Sequence, residues 1–354
     1  MFGINRRLKQ NGVLGINRRN AQYIMRYNPR SLYPLVDDKL RTKQLALDAG
    51  MAVPELYGVV KSQYDVRRLA DIVAGHNKFV IKPAHGSGGD GILVIDRTQN
   101  EKYRTCSGQY VPISTLKHHV SNTLSGQYSL GGLPDNAMIE YCVEFDSVFE
   151  AVSYRGVPDV RIIVLMGYPV MAMVRLPTRM SVGKANLHQG AIGVGVDLAS
   201  GVTLQGVWGN SIINEHPDTG NPITGIQIPE WGKMMESAAR CFELSKLGYL
   251  GVDIVLDRDL GPLILELNAR PGLNIQIANC EGLHGRLQTV EKNVDPEASV
   301  DERLAFSADH FRASPDLFES RADDFGLKTE SDANLSEHAA EVIDIRSKKA
   351  SSSR

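Results

Sequence analysis

Gly251–Asn274 reads GVDIVLDRDLGPLILELNARPGLN. Two short apolar runs flank Asp257-Arg258-Asp259-Leu260-Gly261-Pro262, and runs joined by an Asp/Gly/Pro turn predict a β-hairpin. Folding back sets Asp253, at the start of the first run, beside Glu266 and Asn268 at the end of the second. Glu266 and Asn268 are two residues apart and share one strand face. Two carboxylates and an amide oxygen then converge, hard donors of the kind Mg²⁺ takes together with waters and substrate phosphates. An ordinary hairpin with polar ends is the plainer alternative, but an acid inside ILELN without a partner would be costly to bury.

The surrounding chain has room for such a site. Its 354 residues are 42% hydrophobic and 23% charged, enough for a large core in one or two domains. A net charge of −2 gives no global pull toward nucleic acid or anionic membrane. No apolar run approaches the ~20 residues of a membrane span, and the N-terminus is polar and Arg-rich, without a signal-peptide core. Cys106, Cys142, Cys241 and Cys280 are dispersed, which argues against structural zinc and a disulfide framework. A cytoplasmic protein is expected, with neither nucleic-acid binding nor membrane insertion; a homo-oligomer is allowed.

Along the chain, Asp37–Gly50 and Val66–Ala74 predict helices, as does Trp231–Leu247. Lys78–Pro83, Gly91–Asp96, Ala137–Phe145, Arg161–Met166 and Val170–Leu176 predict strands. The mixture lacks a regular βαβ beat, which argues an α+β fold with largely antiparallel sheets. Residues 1–34 form a basic arm with Arg6, Arg7, Arg18, Arg19, Arg26 and Arg30, expected to face water and otherwise a substrate-docking patch. The next units are 35–142, with a Gly-rich flap, and 143–290, with the hairpin. Residues 291–354 predict a charged, disordered tail, within which Ala333–Ser347 has the pattern of a short amphipathic helix.

Between two of the strands lies His85-Gly86-Ser87-Gly88-Gly89-Asp90-Gly91. Glycines let backbone N–H groups approach phosphate oxygens. No Gly-Lys-Ser/Thr follows, which excludes a Walker A loop, and the strand that follows excludes a dinucleotide fingerprint. A flap over phosphates fits the spacing, although a plain Gly-rich turn fits the loop in isolation as well. Lys82, in the apolar VIKP immediately before the loop, would lose hydration unless an anion such as a triphosphate faced it. Lys39, in the first turn of its helix, is a second candidate. Met138-Ile139-Glu140-Tyr141-Cys142 suits either a sheet strand or a hinge whose backbone reads adenine.

In this order, a lysine opening a helix, a lysine before a flap, a Glu-Tyr hinge and Asp…Glu-x-Asn, the chain resembles the ATP-grasp superfamily of carboxylate–amine ligases, nearest its RimK-type alpha-L-glutamate ligases. The resemblance covers Leu35–Ile277, with the hairpin block its specific part. It implies two α/β subdomains with mainly antiparallel sheets clamping ATP. It places Lys39, Lys82 and the loop residues His85, Gly86, Ser87, Gly88, Gly89 and Gly91 on the phosphates. The backbone of Glu140, Tyr141 and Cys142 would meet adenine. Asp159 would contact ribose, with Glu144 a rival. Arg161 would face an acyl phosphate, with Arg175 and Arg179 as further arginines. Lys184 and Asn186 would contact nucleotide, with His188 a structural neighbour of Asn186. Asp253, Glu266 and Asn268 would hold Mg²⁺, or Mn²⁺ in its place. The hairpin is one residue longer than in the ribosomal-protein-modifying members, and only the basic arm stands where those relatives carry an N-terminal domain.

The implied function is an ATP- and Mg²⁺-dependent ligase that makes an amide or peptide bond through an acyl phosphate. Its partners would be an amino-acid carboxylate, glutamate by analogy, and an amine acceptor on a peptide, protein or small molecule. A phosphotransferase on the same scaffold and a nucleotide-binding regulatory protein with little catalysis are the alternatives.

Overall fold

The computed structural model describes residues 7–86, 88–129, 132–313, 321–322 and 324–328. Ser87, Arg6 and Ala333–Ser347 lie outside these. No helix among the described residues is long and apolar enough to cross a membrane.

Two antiparallel sheets carry the fold, as the unpatterned mixture of strands and helices predicts. The first contains β1 (Leu56–Val60), β2 (Phe79–Pro83), β3 (Leu93–Gln99), β4 (Lys102–Thr105), β5 (Tyr110–Pro112) and β6 (Ala137–Glu140), in the order β1-β6-β2-β3-β4-β5. The second contains β7 (Asp159–Leu165), β8 (Tyr168–Leu176), β9 (Ile192–Val196), β10 (Thr203–Trp208), β11 (Ser211–Ile213), β12 (Tyr249–Asp257) and β13 (Gly261–Asn268), in the order β11-β10-β9-β8-β7-β12-β13. Every ladder is antiparallel.

Each sheet has its own core. In the first lobe Phe79, Ile81, Ile95 and Ile139 meet Leu116 and Val120 from a helix spanning Ile113–Leu124. The second core is larger. Ile162, Val174, Val252 and Ile254 pack with Met234 and Ala238 of Trp231–Ser245, and with Leu287 and Val290 of Leu283–Asn293. β12 runs between β7 and β13 and is buried along its whole length. Burial on both faces explains its continuous apolar run and makes its charged Asp253 conspicuous.

Three segments differ from their sequence reading. The helix Lys39–Asp48, capped by the Asp38 side chain on the amides of Leu40 and Arg41, buries Ala46 in the second core, so it serves the second lobe although it precedes the first. The basic arm is not simply solvated: Leu14, Tyr23 and Ile24 join the same core, and buried Arg19 donates to Pro271 O at 2.7 Å. Beyond residue 290 the chain folds again as a helix, Val300–His310, opened by a Ser299/Glu302 capping box. Phe306 of that helix meets Tyr168 edge to face at 5.3 Å, and Phe311 is buried after it. Aliphatic clusters are sparse in this stretch, and Phe306 and Phe311, with Val294 and Leu304, carry the packing.

Candidate active site

The opening hairpin forms as predicted. Asp257 Oδ1 accepts the amides of Asp259 and Leu260, both at 3.0 Å, which closes the turn, and Gly261 takes φ +72°. The strand register pairs Asp253 with Glu266 and Gly251 with Asn268. Between the Asp253↔Glu266 and Ile254↔Ile264 pairs the register slips by one residue, which leaves Leu265 as the extra one. Bulges of this kind re-aim side chains beside functional sites. Here Glu266 and Asn268 stay half-buried, with Asn268 Nδ2 donating to Glu266 Oε1 at 3.1 Å.

On the other side of β12, Arg161 stands opposite Asp253 and Arg175 opposite Asp159. Arg161 donates to both Asp253 oxygens at 2.7 and 2.6 Å. Arg175 grips both Asp159 oxygens at 2.5 Å and reaches Asp253 Oδ2 at 2.8 Å. Burial opposes charge on both acids, but two guanidinium groups hold Asp253 well below the usual carboxylate range. For Asp159, burial and the neighbouring Asp253 charge outweigh Arg175 and raise the carboxyl to about 6. Asp159 is thereby committed to Arg175 rather than open to a ribose, whereas the half-exposed Glu144 pairs with Lys78 at 2.5 Å.

The donor set suits a hard cation. Asp253, Glu266 and Asn268 are oxygen donors on facing strand positions, and the cation would share Asp253 with the two arginines. Among the described residues no three His, Cys, Asp or Glu side chains are grouped for a metal, so the Asn268 amide is needed to complete the set.

The lysines converge from the other lobe and from the helix at Lys39–Asp48. Lys39 Nζ donates to Gly86 O at 2.5 Å and stands 3.7 Å from Glu266 Oε2, which links the glycine loop to the hairpin. Lys82 pairs with Glu140 Oε1, and Lys43 reaches Glu140 Oε2 at 2.9 Å. Loop residues Gly88, Gly89 and Gly91 have φ of +66°, +80° and +75°, which a side chain would strain. At Gly91 an added Cβ would also lie 2.5 Å from the Tyr128 ring. The loop lies over the segment at Lys184: Asp90 Oδ1 meets Lys184 Nζ at 3.0 Å, and Gln189 Nε2 donates to Gly88 O at 3.4 Å. Asn186 Oδ1 accepts the His188 amide at 3.0 Å.

Some residues take roles the sequence did not indicate. His85 turns to Asp135, with Nδ1 2.7 Å from Oδ1, so its side chain anchors the loop. The Tyr141 amide donates to Glu55 O at 2.8 Å, and Glu140 pairs with Leu56 on one side and Val80 on the other, so both belong to the end of the sheet. Burial pushes the Cys142 thiol up to about 11, away from nucleophilic use. Arg179 is exposed and stacks 5.4 Å over Tyr154, apart from the buried arginines. Lys43, Asp135 and Asp90 were missed; for Lys43 the available signal was its place one turn after Lys39.

Comparison with known proteins identifies the family. The profile of the sugar-transfer associated ATP-grasp family matches residues 18–292. A "probable alpha-L-glutamate ligase" of Pseudomonas putida (strain GB-1) is 25% identical over 261 residues, covering 73% of this chain and 64% of that protein. The corresponding protein of Pseudomonas entomophila (strain L48) is 24% identical over the same shares. The chain thus spans under two thirds of the length of these curated relatives. Among solved structures, D-cycloserine synthetase DcsG is similar at 16% identity and TM-score 0.41, over 75% of this chain and 71% of that one. ATP-grasp ligase PsnB complexed with its minimal precursor gives 16% identity and TM-score 0.41, over 75% and 63%.

Proposed function

Since the chain belongs to the sugar-transfer associated ATP-grasp family, we propose that it is an ATP- and Mg²⁺-dependent carboxylate–amine ligase that adds an amino acid, by analogy glutamate, to an amine acceptor. A substrate carboxylate oxygen attacks the γ-phosphorus, the bond to ADP breaks, and an acyl phosphate forms. The amine then attacks the acyl carbon, phosphate leaves with the bonding pair, and the amine gives up a proton. A free carboxylate is a poor electrophile, so phosphorylation creates the leaving group; the protein positions reactants and offsets charge.

The observation that carries this reading is Lys39, which touches both Gly86 of the flap and Glu266 of the hairpin. It makes one cleft of the phosphate end and the metal end. Lys39, Lys82 and the loop amides bind and orient the triphosphate. Arg161 and Arg175 hold Asp253 and Asp159 through Nε and Nη2, and would turn their Nη1 groups to a carboxylate or acyl phosphate. Asp253, Glu266 and Asn268 would hold a divalent cation, which supplies further neutralisation of phosphate charge.

The test is MgATP-dependent ADP release against a panel of amino acids, paired with candidate amine acceptors, with mass spectrometry of the products. An amide product formed with stoichiometric ADP supports the ligase. ADP release that needs no amine and yields a stable phosphorylated product replaces it with a phosphotransferase. MgATP binding with no turnover across the panel points to a regulatory protein.

A further inference from the structure

Glu140 is one of the most enclosed acids of the protein, at 3% exposure, and it holds two lysines, one on each oxygen. Lys82 is 8% exposed and Lys43 5%. One carboxylate between two ammonium groups leaves a surplus of one positive charge in a dry place. Stability alone would not select this, because a buried pair is easier to accommodate than a buried triad with net charge. The two lysines are not equivalent. Lys43 also donates to Pro54 O, a second anchor beside the acid it shares with Lys82. Lys82 is the penultimate residue of β2, separated from Ala84–Gly91 by Pro83 alone, and its ammonium meets Glu140.

We propose that Lys43 is a positioning residue that neutralises Glu140, so that the charge of Lys82 remains available to an anionic phosphate. Without Lys43 the Lys82–Glu140 pair would be neutral and would offer a phosphate little attraction. Glu140 lies against the Lys82 ammonium, and Lys43 prevents it from cancelling that charge. The inference rests on the reading of the cleft as an ATP site, and it assigns a function to a side chain that touches no ligand.

The test is isothermal titration calorimetry of the full chain with MgATP. Lys43→Met should weaken binding by about tenfold or more, since one compensating buried charge is removed. Glu140→Gln should bind at least as tightly as wild type. The double variant K43M/E140Q should recover to within a few-fold of wild type, because Lys82 is again uncancelled. A purely structural role for Lys43 would not be rescued by removing Glu140's charge. Lys43→Gln serves if the Met variant does not fold, and Glu140→Gln, nearly isosteric, reads the same charge balance on its own. Wild-type affinity in Lys43→Met, no recovery in the double variant, or weakened binding in Glu140→Gln would each overturn the inference. If wild type itself bound no MgATP, the reading of the cleft would fall, and the inference with it.

Discussion

Single side chains in this site were legible from the sequence when strand parity alone decided their direction. Glu266 and Asn268 share a face by strand parity, while the one-residue bulge at Leu265 is what sets Asp253 opposite Glu266. Lys43 was not legible, since its role depends on a helix of the second lobe reaching an acid at the edge of the first. Glu266→Gln or Lys82→Ala should each remove a major charge-stabilising contact, about 3 kcal/mol, and lower ATP turnover about 100-fold, measured as ADP release. Asp135 gives a pH prediction. Burial alone would raise its carboxyl, but the His85 side chain and amide, with the Asn136 amide and Ser129, hold it below its ordinary value. A depressed folded-state value means stability that is present above about pH 4 and lost as pH falls through the folded value. Acid unfolding followed by circular dichroism should show that loss in wild type. Asp135→Asn should be about 2 kcal/mol less stable at neutral pH and less dependent on pH below 4.

At the scale of elements, β2, β3, β6, β7, β8 and the two hairpin strands were recognised, whereas β1, β4, β5, β9, β10 and β11 were not. Strands of three or four residues, as β4, β5 and β11 are, carry too little pattern to separate from loops. Val66–Ala74, expected as one helix, divides into a 3₁₀ turn at Asp65–Arg68 and a short helix at Leu69–Val73. The bulge at Leu265 was also invisible in the sequence, although it decides where β13 aims its polar side chains. Deleting Leu265 would leave Asp253↔Glu266 and Ile254↔Ile264 as consecutive pairs of a regular ladder, so it removes the local kink of the bulge while keeping the partners, and tests whether that kink aims Glu266 and Asn268. The expected result is loss of MgATP-induced thermal stabilisation together with a lower melting temperature. An unchanged ATP-induced shift would show that the bulge does not set the site.

For the whole molecule, the α+β class and the antiparallel sheets followed from the mixture of elements, but the assignment of segments to lobes did not. The arm, the helix at Lys39–Asp48 and the helix at Val300–His310 all pack on the second lobe, a long-range choice with no local signature. The two lobes meet over the cleft through an exposed contact, Asp90 on the flap with Lys184 below it. Asp90→Asn, followed by stopped-flow nucleotide binding, should accelerate association and release together and change the equilibrium constant little. Exposed pairs of this kind are screened by salt. Such a latch would act on time rather than on affinity: a rise in ionic strength alone should shorten the wait between openings without altering a single residue of the site.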